Sequence, residues 1–249
     1  HMKKERFFGK NGQTAFLGAA VLVLLICYID NFHGGSAWIP TYFQHVAVNC
    51  LIAAILALGL NFVSGYLGQT SLGHAAFYGI GAYTTAVLLK YTNISFWITI
   101  PVGLLLAALV SIPLAMASLR VKGQFLIVIT YAFCEILRFI AINTAALGGT
   151  AGIPGLKSPE IFGIKITKLA ASSKGGYILI LFLIVAAVAF FAWKTEHSRI
   201  GYAFSAIRED EIAAVAMGIN TKYYKVHAMV ISAVICSIAG SFQAVFASM

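Results

Sequence analysis

The sequence is short of charge, of paired cysteines and of every common catalytic signature. Asp, Glu, Lys and Arg make up only 10% of its 249 residues, against roughly 25% in soluble domains, and that shortfall excludes a water-soluble globule. The four cysteines, Cys27, Cys50, Cys134 and Cys236, fall inside apolar runs and form no CxxC pair, which argues against a disulfide scaffold or a zinc site. No GxxxxGK[ST] phosphate loop is present, since Gly9 and Lys10 lead into Asn11 and Gly12; the chain does not hydrolyse ATP by that route. HExxH, GxSxG and clustered acidic pairs are missing too, so an intramembrane enzyme has no evident nucleophile, base or metal cage.

What the sequence has in abundance is apolar length. It is 60% hydrophobic with a mean hydropathy of +0.90, and its apolar residues come in runs of about 20, enough to cross a bilayer at 1.5 Å per helical residue. Seven spans are expected, at about 14–31, 42–63, 72–89, 95–118, 123–142, 176–193 and 226–247. The fold class is therefore all-α, a polytopic transmembrane bundle forming one membrane domain over residues 3–249. His1 and Met2 precede a Lys-rich start and read as a cloning remnant.

The formal charge is +9, which on a soluble protein would raise nucleic acid as a partner. Here the basic residues sit in short loops, and membrane topology explains them without nucleic acid. With the N-terminus inside, the inner segments hold Lys3, Lys4, Arg6, Lys10, Arg120, Lys122, Lys194, Arg199, Arg208, Lys222 and Lys225, the majority of the 17 cations. The outer side holds Lys90, Lys157, Lys165, Lys168 and Lys174, mostly in one long loop where the rule is weaker. A cleaved signal peptide is the rival reading of the first run, but its apolar stretch exceeds the usual 7–15 residues of such a core.

The segment from Ser64 to Gly81 gathers Gly65, Gly68, Gly73, Gly79 and Gly81 beside Gln69, Ser71 and His74. This glycine density is expected to interrupt a helix, and interrupted spans line the binding paths of many transporters. Tight packing through Ala75, Gly79, Ala82 and Ala86 is the competing reading, and the two are compatible. His74 stands alone, without a second histidine or a carboxylate nearby in sequence, and reads as a structural group rather than a proton relay or metal ligand. Glu135 and Arg138 are the only opposite charges within one span. Three residues apart, they share a helix face and are expected to pair and to face protein or water, with a structural ion pair preferred to a transport-path role.

One long inner segment, Lys194 to Lys225, has helical rather than loop-like patterning. Ile200, Phe204 and Ile207 recur at helical spacing, as do Ile212, Val215 and Ile219. Glu209, Asp210 and Glu211 suit the start of a second helix, and Gly218 with Asn220 supplies its stop. Two short helices joined by a charged turn are expected. The acidic turn would be repelled by anionic lipid, while Ala213, Ala214 and Gly218 suit close docking, so a protein partner is preferred to the membrane surface.

Four stretches, LNFVSGYLGQTSLGHAAFYGIGAYTTAVL (60–88), VITYAFCEILRF (128–139), LGGTAGIPG (147–155) and SRIGYAFSAIREDEIAAVAMGIN (198–220), together resemble the LivM-type permease subunit of branched-chain amino acid ABC importers. The resemblance covers about Leu51 to Gln243 and implies a second related permease, two ABC ATPase subunits and an extracytoplasmic substrate-binding protein as partners. It implies a multi-pass protein of a bacterial inner membrane surrounded by lipid. No cofactor is expected on this chain, with ATP and Mg on the partner ATPases. The family's coupling role carries over to residues 198–220, where Glu211, Ala213, Ala214 and Gly218 match a degenerate EAA-xxx-G pattern interrupted by Ile212, flanked by Arg208, Glu209 and Asp210. Alternating access driven by ATPase closure is the implied mechanism. The family continues with at least one further span, so the sequence is expected to be part of a longer family domain.

Substrate identity is less sharply implied, because urea and short-amide importers use similar permeases; a branched-chain or similar small amino acid is preferred. The Gly148–Gly155 turn is either a docking place for the binding protein or simply an ordered turn. An ion-coupled secondary transporter would place coupling carboxylates or broken spans in both halves of the fold, and Glu135 alone is available. A membrane-embedded transferase would show clustered polar groups at one membrane face.

Overall fold

A computed structural model of the chain describes residues 41–92, 94–119, 121, 124–144, 147–149, 152–153, 155–156, 160–161, 164–165 and 175–247. The expected first span, 14–31, lies outside the described residues. Helix α1 is Thr41–Asn61, continued by a π-helical turn over Phe62–Tyr66; α2 is His74–Tyr91, α3 Phe96–Ser118 and α4 Gln124–Asn143. A two-stranded ladder, β1 (Glu160–Ile161) and β2 (Ile164–Lys165), precedes α5 (Gly175–Glu196). The short helices α6 (Arg199–Glu209) and α7 (Glu211–Ala216) lead into the long α8 (Thr221–Ala247).

Five of these segments are long and apolar enough to cross a membrane: Tyr42–Tyr66, Phe96–Ser118, Phe125–Asn143, Gly176–Glu196 and Thr221–Ala247. Side chains such as Leu105, Leu109, Phe139 and Phe190 are exposed on them, as a multi-pass membrane protein requires of surfaces that meet lipid or another chain. Helix α2 forms where the span 72–89 was expected, yet it falls outside this set. It carries Gly, Thr and Tyr because it packs against α3 and α8, and a helix enclosed by protein need not be lipid-like. Helix α8 starts more than a turn before its apolar run; Lys222 and Lys225 interrupt the hydropathy without interrupting the helix.

Two compact units divide the chain: His1–Leu51 with Ile161–Leu183, and Ile52–Glu160 with Ile184–Met249. In the first, the described residues are the leading halves of α1 and α5 and the strand residues from Ile161 to Lys165. The second contains the rest, with α8 at its centre, packed along α2 and α3. That crossing is close because both helices offer no side chain there: a Cβ on Gly81 would collide with the Ser237 carbonyl, and one on Gly240 with the Tyr78 carbonyl. Ser232 Oγ donates to the Gly59 carbonyl at 2.6 Å, and Ser241 Oγ to that of Gly81 at 3.4 Å.

The apolar core of this unit does not stop at the bundle. Phe77, Ala107, Leu114, Met229 and Ala233 are continuous with Val63 and Leu67, and these in turn with Phe204, Ile207 and Ala214 of the short helices. One end of the unit therefore gathers the end of α1, the α3–α4 connection, the α6–α7 hairpin and the first turn of α8, which makes successive long helices run in alternating directions.

Candidate functional site

The glycine-rich stretch falls on the connection between α1 and α2, from Phe62 to Gly73. The α1 helix loosens into a single π turn, helical geometry ends after Leu67, and α2 begins at His74. Gly68 has φ +72°, a left-handed conformation that costs a residue with a Cβ roughly 1–2 kcal/mol. A chain that leaves helical geometry needs substitutes for its lost hydrogen bonds, and they are present. The Gln69 amide donates to the Val63 carbonyl at 3.0 Å, Ser64 Oγ donates to the Gln69 carbonyl at 3.2 Å, and the Leu72 amide donates to Thr130 Oγ1 at 3.1 Å. The Gly73 amide donates to Ser71 Oγ at 3.3 Å, and Arg208 Nη1 to the Gly65 carbonyl at 2.7 Å.

The hairpin forms as its sequence pattern predicts. Ser198 Oγ accepts from the Gly201 amide at the start of α6. Asp210 Oδ1 accepts from the amides of Ile212 and Ala213, at 2.8 and 3.1 Å, to open α7. Gly218, at φ +83°, follows α7's last turn, with the Ile219 amide donating to the Ala214 carbonyl. The two apolar stripes are seated differently. Phe204 and Ile207 are buried in the bundle base with Ile200 packed beside them, whereas of the second stripe only Ile219 packs against that core; Ile212 is 77% exposed and Val215 is displayed, as is the neighbouring Met217 at 83%. Ala214, expected among the docking residues, is buried within its own chain, so it seats α7 on the bundle while Ala213 and Gly218 remain at the surface.

The α1–α2 connection and the hairpin meet at a cleft of about 400 Å³. Gly68 lies under the Arg208 side chain, whose Cγ a Cβ would approach within 2.9 Å. On the same cleft lining, Lys225 Nζ, only 8% exposed, donates to Glu211 Oε1 at 2.6 Å, tying α7 to the start of α8. Lys225 was read from sequence only as an inner cation, because a contact between residues 14 apart on different helices leaves no periodic trace. Thr130 was likewise missed as the partner of the broken backbone; the signal available was a hydroxyl residue in an otherwise apolar helix turn.

The remaining predicted residues are dispersed. Ser71, Gly73 and His74 are buried at the restart of α2, with His74 edge-on to Phe77 at 6.3 Å. Gly79 corrects the packing expectation, since a Cβ there would have nothing within 4 Å, and the close approach is made by Gly81 instead. Helical twist puts the two on different faces of α2. Glu135 and Arg138 form the expected ion pair at 2.7 Å on α4, but the Arg138 side chain is 55% exposed on the chain's outer face, against the Phe139 ring. Among the described residues, no group of three or more His, Cys, Asp or Glu is placed to hold a metal.

Residues 42–248 match the family model described as "Branched-chain amino acid transport system / permease component". The chain is 33% identical over 254 aligned positions to the high-affinity branched-chain amino acid transport system permease protein LivM of Escherichia coli K12, covering 93% of this chain and 57% of that protein. It is 32% identical to the LivM of Salmonella typhimurium with the same coverage, so it spans a little over half the length of these curated relatives. No solved structure matches. With most of its length inside the family model, the chain belongs to the branched-chain amino acid transport permease family.

Proposed function

We propose that the chain is a membrane-spanning permease subunit of an ATP-driven importer that moves branched-chain or similar small amino acids across a bacterial inner membrane. It lies there with its N-terminus and hairpin on the cytoplasmic side. The partners are a second related permease, two ABC ATPase subunits that carry ATP and Mg, and an extracytoplasmic substrate-binding protein. This chain binds no cofactor and catalyses no chemical step.

The observation that carries this reading is the two-sided hairpin. A helix that only rested on lipid would have no need to be bonded into the bundle on its other face. Here Phe204, Ile207 and Ala214 are part of the bundle's core while Ile212, Val215 and Met217 remain available to a groove in a second protein. Movement of such a partner reaches the spans by two links: Arg208 to the Gly65 carbonyl at the end of α1, and Glu211 to Lys225 of α8. A push on the hairpin thus acts on the end of α1 and on the central helix together, which is what alternating access between two arrangements needs. The outward ion pair of α4 fits a face covered by the second permease, since either charge alone in lipid costs roughly 2.5–3.5 kcal/mol on insertion scales.

The test is co-purification of the ATPase subunits with the assembled permease pair. Ile212→Asp and Met217→Asp, both at exposed positions, are expected to lower ATPase recovery at least tenfold and to abolish ATP-driven leucine uptake while membrane insertion is unchanged. Leucine uptake by the wild-type permease driven by an ion gradient with no ATPase present overturns the reading.

A further inference from the structure

The cleft between the α1–α2 connection and the hairpin has the chemistry of a particular ligand. Its walls are aliphatic, from Leu67, Val121, Leu126, Ile127 and Ile207. Among the described residues its polar lining is Arg208, Glu211 held by Lys225, Gln69 and Thr70. Among the described residues, Arg208 uses one donor, Nη1, on the Gly65 carbonyl. Its other guanidinium donors are free for a bidentate contact with a carboxylate. Glu211 spends Oε1 on Lys225, and Oε2 can accept from an ammonium group.

We infer that this cleft is a binding site for an aliphatic α-amino acid, with its carboxylate on Arg208, its ammonium on Glu211 and its branched side chain against the Leu67, Leu126 and Ile127 wall. The inference deepens the proposed function, on which it rests, by assigning the transported class of molecule a resting place at the hairpin end of the path. Three features select the ligand. A cleft of about 400 Å³ holds a molecule of leucine's size with room for water, and is at the lower end of the usual range for small-molecule sites. Branched aliphatic walls favour an apolar side chain over urea or a short amide, which offer nothing to bury there. Opposite charges on one lining, the Arg208 guanidinium and the Glu211 carboxylate, match a zwitterion. Because Arg208 and Glu211 are also the two links from the hairpin to the spans, a molecule bridging them loads the very groups that the hairpin moves.

The experiment is equilibrium binding of radiolabelled leucine to the assembled permease–ATPase complex in nanodiscs, with the substrate-binding protein left out. Saturable binding is expected. It should fall at least tenfold in Arg208→Gln and in Val121→Trp, which adds bulk to the cleft while leaving its charged side chains in the sequence. Unlabelled leucine should compete, whereas leucinol, which lacks the carboxylate, and 4-methylpentanoate, which lacks the ammonium, should compete at least tenfold more weakly. Equal competition by 4-methylpentanoate overturns the zwitterion assignment, and binding untouched by Val121→Trp overturns the cleft as the site. If the wild-type complex imports leucine in proteoliposomes yet shows no such binding, the site fails while the proposed function stands; if it imports no leucine at all, the proposed function itself fails.

Discussion

At the scale of single residues, a few side chains hold geometry that the backbone alone would abandon. Asp210 is the clearest. It ends α6 in extended geometry and, through one oxygen, accepts the first free amides of α7. A helix of six residues is too short to persist by propagation, because nucleation dominates such lengths, so its cap and its seat on the bundle decide whether it exists. Asp210→Ala is expected to cost about 0.5–2 kcal/mol of local stability, read as faster amide hydrogen exchange at Ile212 and Ala213 with the exchange of α8 unchanged. Asp210→Asn, which keeps the accepting oxygen, should preserve most of the protection.

Elements are joined here by few but well-placed contacts. The pair Lys225–Glu211 fastens α7 to α8 with the cation almost fully buried, and a buried cation deprived of its counter-charge is far costlier than an absent one. Glu211→Gln is therefore expected to harm the complex more than the double change Glu211→Gln with Lys225→Met, whose long apolar stem fills the lysine's place. The melting temperature of the detergent-purified chain, compared across the single and double variants, measures the coupling; additive losses would show that the pair is not the connection between hairpin and α8. Periodicity foretold both helices of the hairpin and its turn. It did not foretell that Ile212 and Val215 would be displayed while Ile200, Phe204, Ile207 and Ile219 meet the core, since the two stripes are equivalent as patterns and only the presence of the bundle beneath them distinguishes their members.

At the scale of the whole molecule, the larger unit is organised by α8, which packs along α2 and α3, and its crossing with α2 depends on the absence of two side chains. Gly240→Val is expected to separate α2 from α8, because a Cβ there meets the Tyr78 carbonyl, which belongs to a helix backbone and cannot rotate aside. The loss should appear as a fall in the melting temperature of the detergent-purified chain. Gly79→Ala, on the open face of the same helix, should leave that temperature unaltered. Reversal of this contrast would place the crossing elsewhere on α2.

Apolar run length and charge shortage were enough, from the sequence alone, to determine a helical membrane protein, with five of the expected spans falling on helices long and apolar enough to cross a membrane, because lipid allows few other solutions to an unpaired backbone. Gly68, Asp210 and Gly218 equally announced where helices would break, since backbone dihedrals and caps are local properties. Only the tertiary structure decided that Ala214 faces inward, that Gly81 rather than Gly79 makes the close approach, and that Arg208, Glu211 and Lys225 border one cleft with the α1–α2 connection. Those outcomes depend on which surfaces of distant segments meet, and no spacing within one segment encodes the position of another.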